Sequence, residues 1–450
     1  MKKIRIGSGA GYAGDRIEPA VELMEKGNLD YIIFECLAER TIAIGQMDKL
    51  KDPTKGYNQL LGSRMRKILG LVKEKGIKVI TNMGSANPIY AVDETVKIAK
   101  ELGITGLKIA AVTGDDILTQ IPNYYENDIL ELDCKLKDIK ENIISTNVYL
   151  GAEGIIEALK NDADIVITGR VSDPALSIGP LVYEFGWDIQ KNPKEMGQAV
   201  LVGHLLECAG QVTGGYYADP GYKDVEGLER LGFPIVEIDE TGNFIVTKVE
   251  GSGGLVSEST CQEQLLYEIH NPARYMTPDA IADFSKVEFT QQGKDVVQAT
   301  NATSHGKPDT LKVSMGYKDC FIGEGEISYG GANALAKAQL AADIVEKRLK
   351  IIGAEIEELR MDYIGFNSLY KDKISKQYTK DIFPEIRLRV SGRTKDKQNA
   401  AFIGNEVEAL YTNGPAGGAG ATKKVAEIVS VCSIFVPRDA VNIKVSYKEV

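Results

Sequence analysis

Short apolar runs alternate with amphipathic stretches over the first 185 residues. Ile4 and Ile6 lead into Gly7, and residues 29–34, 77–80, 107–112, 148–150 and Ile165–Thr168 read as further strands. Between them apolar residues recur at helical spacing. Ile17, Ala20, Val21 and Met24 form one such face, and Leu60, Leu61, Ile68, Leu69 and Val72 form another within residues 57–75. Residues 37–47, 89–102 and Glu153–Lys160 continue the series, whereas residues 121–142 are polar and irregular and read as an insertion. Strands that are apolar on both faces and alternate with helices predict a parallel sheet covered by helices on both sides. The expected fold is therefore α/β and Rossmann-like at the N-terminal end.

The pattern changes after a helix over residues 196–212 and a glycine- and tyrosine-rich loop over residues 213–222. Strand-like runs then dominate, at residues 234–238, 244–249, 287–291, 296–299, 310–315 and 321–328. Helical stretches lie at 257–269, 332–349 and 398–410, and the last alternation, at 433–447, is interrupted by Pro437. Two domains are expected: residues 1–220, an α/β glycine-loop domain, and residues 221–450, an α+β domain with mainly antiparallel strands.

In open α/β sheets ligands bind beyond the carboxyl ends of the strands. That rule selects residues 9–16, Glu35, residues 82–87, Asp115, Asp116 and residues 170–173, which are scattered along the chain but would share one rim. The first of these is a strand–glycine–helix junction. Gly9, Gly11 and Gly14 match G-x-G-x-x-G, and Glu35 follows Gly14 by 21 residues, about where a dinucleotide fold places its ribose-binding acid. An NAD site is one reading. Asp15 opposes it, because a carboxylate there would repel a pyrophosphate, and the alternative is a tight turn with Asp15 as a cap. A second glycine loop, residues 413–421, can form an anion nest through the backbone around Gly417 and Gly418, or be a surface turn.

Composition narrows the function classes. With 43% hydrophobic residues the chain can bury two or three cores, and a formal net charge of −11 argues against nucleic acid and anionic membranes as partners. No apolar run reaches membrane-spanning length, and residues 1–6 lack a leader's apolar region, so a cytoplasmic location is expected. Six well-separated cysteines without C-x-x-C, and three histidines without H-E-x-x-H, give no zinc or iron–sulfur signature, and no metal site is assigned. A carboxylate-bound metal stays open. No G-x-S-x-G elbow is present.

The segments at residues 4–23 (IRIGSGAGYAGDRIEPAVEL), 30–41 (DYIIFECLAERT), 80–88 (ITNMGSANP) and 165–176 (IVITGRVSDPAL) resemble the acyclic terpene utilisation (AtuA) family over nearly the whole chain. The resemblance implies catabolism through branched, unsaturated acyl-CoA acids. Some members carry a small extra C-terminal domain that also occurs as a separate protein, so a small partner subunit is expected here, together with a homo-oligomer.

The chemistry suited to such substrates is addition or removal of water at a double bond conjugated to a carboxyl or thioester. It needs a base, an acid and positive or N–H groups to hold the enolate. Glu35 and Asp15 are the expected bases, with Arg170 completing the catalytic set. Arg16 and Arg170 can clamp a carboxylate bidentately. Asn82, Asp173 and the amides of Gly9, Ala10 and Gly11 complete the substrate site, with Gly417 and Gly418 facing it if the domains meet there. Each has a plainer alternative: a cap for Asp15, a surface pair with Glu39 for Arg16, a structural pair for Arg170 and Asp173, a solvated pair for Glu39 and Arg40. His204 reads as a core or surface histidine. The expected function is a lyase, a hydro-lyase acting on a branched unsaturated acid or its CoA ester, with no cofactor required beyond the substrate's own CoA moiety. The alternatives are an NAD-dependent oxidoreductase and a non-catalytic subunit of a two-component enzyme.

Overall fold

A computed structural model describes residues 1–378 and 383–450. In chain order the elements are β1 (Lys3–Ser8), α1 (Glu18–Lys26), β2 (Tyr31–Phe34), α2 (Glu39–Lys51), α3 (Leu61–Lys75), β3 (Lys78–Thr81), α4 (Pro88–Glu101), β4 (Lys108–Thr113), β5 (Ile143–Val148), α5 (Glu153–Lys160), β6 (Ile165–Thr168), α6 (Ala175–Phe185) and α7 (Pro193–Glu207). Then follow β7 (Pro234–Asp239), β8 (Phe244–Lys248), α8 (Glu258–Leu266), β9 (Tyr275–Met276), β10 (Ile281–Asp283), β11 (Glu288–Gly293), β12 (Val296–Thr300), β13 (Thr303–Ser304) and β14 (Thr310–Gly330). The chain ends with α9 (Ala334–Ile351), β15 (Glu358–Ile364), α10 (Lys371–Tyr378), β16 (Glu385–Thr394), α11 (Lys397–Asn413), β17 (Ala419–Pro437) and β18 (Lys444–Glu449). Residues Met1–Gly316 and Val431–Val450 form one compact unit, and Tyr317–Ser430 another.

The first unit is built on a ten-stranded sheet in the order β11-β12-β8-β7-β1-β2-β3-β6-β4-β18. Its centre, β1-β2-β3-β6-β4, is parallel. On either side the sheet continues antiparallel, β7 pairing with β1 and β18 with β4. The fold is thus α/β with a large mixed sheet. In a dinucleotide fold the first strand borders the point where strand order reverses. Here β1 lies between β2 and antiparallel β7, and the reversal falls where β6 inserts between β3 and β4. The Rossmann-like expectation therefore narrows to its layers.

Those layers follow from the period-two alternation of the strands. Ile32, Phe34, Val79, Ile109, Ile165 and Ile167 share a core with Leu23, Met24, Met65, Ile68, Leu69 and Ile98 of α1, α3 and α4. Tyr31, Ile33, Ile80 and Val166, equally buried, face the other way, where α5, α6 and α7 pack. α6 reads as nearly all apolar because every residue from Ala175 to Val182 is buried. The helix expected from the spacing of Ile17, Ala20, Val21 and Met24 starts at Glu18, just after the first of them.

In the second unit β15-β16-β14-β17 form an antiparallel-rich sheet. One face carries Ile327, Tyr329, Ile386, Leu388 and Val390 against Ala338, Val345, Ile403, Val407 and Leu410 of α9 and α11. Arg387 pairs with Glu326 and Arg389 with Glu324 among the residues of β16 and β14 that alternate with this core. Gly417 and Gly418 belong to this unit. Gly417 has φ +81°, and a Cβ on Gly418 would come within 2.9 Å of Ile327.

Candidate functional site

Four turns meet at the carboxyl ends of β1, β2, β3 and β6. The Glu35 N–H donates to the Ala10 carbonyl at 3.1 Å, continuing the β1–β2 pairing past the last strand residues. The Glu35 carboxylate oxygen Oε1 accepts from the Leu37 N–H at 2.8 Å and from Asn82 Nδ2 at 3.0 Å. Asn82, fully buried, accepts from the Cys36 N–H on its own oxygen at 2.7 Å. Arg170 Nη1 closes the circuit by donating to the Leu37 carbonyl at 2.6 Å. Gly9, Ala10, Glu35, Asn82 and Arg170 are all buried, so they form a floor rather than an open surface.

Arg170 is 1% exposed and every guanidinium nitrogen is engaged. Nε donates to the Val171 carbonyl at 2.8 Å, and Nη2 to that carbonyl and to Asp173. Its plane lies over the Tyr149 ring, 4.4 Å from the centroid. Burial opposes the guanidinium charge, but Asp173, Tyr149, Glu35 and Glu39 outweigh it and strengthen its hold on the proton. Burial and the neighbouring Asp173 push the Glu35 carboxyl well above the usual carboxylate range, against the Leu37 N–H, Arg170 and Asn82. Asp173 is likewise raised by burial and by Glu39, with Arg170 opposing.

Above this floor opens a cleft of about 220 Å³. Asp173, about a third exposed, Glu39, Tyr149 and Lys312 supply its charged and polar side. Tyr275, Met276, Leu311 and Phe435 supply an apolar side. Lys312 Nζ lies 3.4 Å from Glu39 and 5.2 Å from the Tyr149 centroid. The Tyr149 hydroxyl bonds Glu39. Burial works against the Glu39 charge, yet that bond and the Lys312 and Arg170 charges bring its carboxyl below the usual value. Ser172 also lines the cleft, and its buried hydroxyl has no hydrogen-bond partner. A polar atom left so usually waits for a ligand or water.

The segments whose motifs were quoted above supply this floor and the cleft's acids. The family profile described as "Acyclic terpene utilisation family protein AtuA" matches residues 4–447. The chain belongs to the acyclic terpene utilisation family. Comparison with curated proteins and with solved structures gives no match.

In this AtuA-family chain the glycine loop is shaped by packing. A Cβ on Gly9 would sit 2.5 Å from the Phe34 ring, and one on Gly11 would sit 2.7 Å from the Cys208 carbonyl oxygen. Asp15 folds back so that Oδ2 accepts from the Gly11 N–H at 2.9 Å, while Oδ1 accepts from the Arg16 N–H at 2.8 Å. The loop amide that would greet a pyrophosphate already holds a carboxylate. Arg16 is exposed and donates to the Leu228 carbonyl at 3.1 Å; Glu39, its expected partner, bonds Tyr149 instead. Asp15 and Arg16 line a different hollow from the one that holds Asp173. Gly417 and Gly418 lie in the second unit.

His204 has Nδ1 2.8 Å from Glu207 Oε1 and Nε2 3.1 Å from the Leu265 carbonyl. Both ring nitrogens face acceptors, so the pair retains one proton between them beyond the one on Nε2. Tyr275, on the cleft wall, lies tilted against this ring with the centroids 5.3 Å apart. Tyr149, Lys312 and Tyr275 went unread in the sequence: they sit singly in ordinary strand or loop patterns, with no motif to mark them. Among the described residues no group of three or more His, Cys, Asp or Glu side chains has the spacing to hold a metal ion, and no helix is long and apolar enough to cross a membrane.

Proposed function

We propose that this chain is a lyase that adds or removes water across a double bond conjugated to the carboxyl or thioester group of a short branched acid. The observation that supports it most is the meeting, on one cleft, of the Asp173 carboxyl, the Lys312 ammonium and the unpartnered Ser172 hydroxyl. In the elimination direction Asp173 takes the proton from the carbon next to the carboxyl group. The C–H electrons form the double bond, the C–O bond breaks, and the same carboxyl returns its proton to the departing hydroxide, which leaves as water. Negative charge that develops on the substrate's carboxyl or thioester oxygen is met by Lys312, Ser172 and the Tyr275 phenol. Arg170, with its nitrogens engaged, is a positioning residue that holds Asp173 in place. Met276, Leu311 and Phe435 suit a branched hydrocarbon chain. The cleft volume is below the range of about 300–1,000 Å³ typical of drug-sized ligands. Only the acyl part of a thioester would enter it.

The test is an ultraviolet assay of the purified chain, alone and with any small partner, against branched enoyl acids and their thioesters. The conjugated double bond should gain or lose absorbance with at least one of them. Asp173→Asn should lower kcat by about 10²–10⁴-fold, the range typical of a lost general acid–base, measured on protein that its melting curve shows to be folded, since the substitution also removes the carboxylate facing the buried Arg170 guanidinium. No absorbance change across the panel, or an unaltered rate in the variant, would sink the proposal.

A further inference from the structure

A second groove borders the glycine loop at Gly11, Tyr12, Asp15 and Arg16. Two adjoining hollows of about 510 and 260 Å³ share Gln211, Gly215, Tyr216 and Tyr267. The first also holds Asp15 and Arg16. Three features of this groove point to a ligand.

Tyr216 is 88% exposed, and its backbone sits at φ +62°, in the left-handed region that a bulky side chain rarely adopts. Gly214, at φ +104°, and Gly215, packed where a Cβ would lie 2.8 Å from the Gly210 carbonyl, force the loop into this shape. The strain presents an aromatic face to solvent, with Tyr267 edge-on at 6.4 Å. Backbone strain of this kind collects at ligand sites. Gln211 Oε1 is buried and accepts no hydrogen bond. The Arg16 guanidinium makes no ion pair among the described residues, its one recorded side-chain bond being to the Leu228 carbonyl.

An exposed aromatic face, a buried acceptor and an unpaired guanidinium together describe the recognition of a nucleotide. We infer that this groove binds the adenosine-phosphate portion of a larger molecule, the base stacking on Tyr216 and its amino group donating to Gln211 Oε1. The Asp15 oxygens, each accepting one backbone N–H, keep lone pairs for ribose hydroxyls. Arg16 meets a phosphate. The phosphate does not rest on the loop amides, since Asp15 occupies the Gly11 N–H. The groove is broad and open, which suits the handle of a substrate or cofactor rather than its reacting end. This inference stands apart from the lyase proposal: it concerns binding, at residues that the cleft does not use.

Isothermal titration of the full chain with ADP, coenzyme A and NAD tests it. At least one should bind with a Kd below about 1 mM. Tyr216→Gly should weaken that binding about tenfold or more, the scale of a lost base–aromatic stack, while the melting curve shows an intact fold because glycine accepts the backbone conformation. Gln211→Leu should weaken it as well. Coenzyme A binding more tightly than ADP and NAD would assign the groove to an acyl carrier, tighter NAD would assign it to a redox cofactor, and equal affinities would assign it to the shared adenosine diphosphate. If none of the three binds, or both variants bind as the parent does, the inference is overturned. Because titration needs no turnover, failure of the lyase assay and failure here are separate outcomes.

Discussion

Asp115 offers a quantitative test of how the rim stores charge. It is 4% exposed, and its Oδ2 accepts from the Arg170 N–H and from Asn147 Nδ2, each at 2.9 Å. Gly169 makes room for it: a Cβ there would lie 2.6 Å from Oδ1. Burial pushes its carboxyl from 3.8 up to about 6, against those hydrogen bonds and with some help from Asp116. The folded chain therefore binds this proton more tightly than the unfolded chain does. The resulting stabilisation is complete below the unfolded value of 3.8 and is lost as pH rises through about 6. At about 1.4 kcal/mol per pH unit, the gap between the two values corresponds to about 3 kcal/mol. Roughly 1 kcal/mol of that falls between pH 5 and pH 7. Asp115→Asn removes the titration. With its amide oxygen in the place of Oδ2 the asparagine can keep both hydrogen bonds, since that oxygen carries two lone pairs, and its amino group replaces Oδ1, a change that does not vary with pH over this range. Urea unfolding of both proteins from pH 5 to pH 8 should show the stability of the variant gaining on that of the parent by about 1 kcal/mol from pH 5 to pH 7. Other raised carboxyls, such as Glu35 and Asp279, act on both proteins and cancel in the difference. Parallel stability curves would refute the claim that burial sets the Asp115 proton affinity.

Two further substitutions probe the floor. Gly11→Ala should lower stability by about 1–3 kcal/mol, because the new methyl meets the Cys208 backbone and neither side can rotate away; a melting curve no lower than the parent's would contradict the packing account of the glycine loop. Arg170→Lys should cost about 3–5 kcal/mol, since an ammonium cannot serve the Leu37 and Val171 carbonyls and Asp173 while stacked on Tyr149; urea unfolding measures it, and a change under 1 kcal/mol would show the network to be dispensable.

Much of the first unit was legible because its signals are local. Glu153–Lys160 and Ile165–Thr168 form the helix and strand expected of them, since each carries a full period of its own pattern. The convergence of Ala10, Glu35, Asn82 and Arg170 follows from a rule about strand ends that needs no knowledge of pairing partners. Pairing across hundreds of residues leaves no such local mark. Lys444–Glu449 alternates like any edge strand, and nothing in it names β4 as its neighbour. Residues 310–330 read as two runs because Lys318 and Asp319 break the apolar alternation, yet they continue one strand. The glycine loop illustrates a different limit. Glycine serves both close approach by a ligand and close approach by another side chain, and at Gly9 and Gly11 the close neighbours are Phe34 and Cys208.

Arg170 lies among more negative charge than positive. Glu35, Glu39 and Asp173 act on it electrostatically, while the cations beside them are Arg170 itself and Lys312. Three buried or half-buried carboxylates against two cations leave an excess of negative charge in a region with little water, and such an excess is relieved by keeping a proton. Glu39 is held ionised by Tyr149 and Lys312, so the retained proton falls to Glu35 or Asp173, whose carboxyls influence each other directly. Of these two only Asp173 reaches the cleft. Behind the floor, Glu35 is held well above the usual carboxylate range by burial and by the Asp173 charge. Under the proposed lyase reading, an anionic substrate beside Lys312 would add negative charge and raise the proton affinity of Asp173 further.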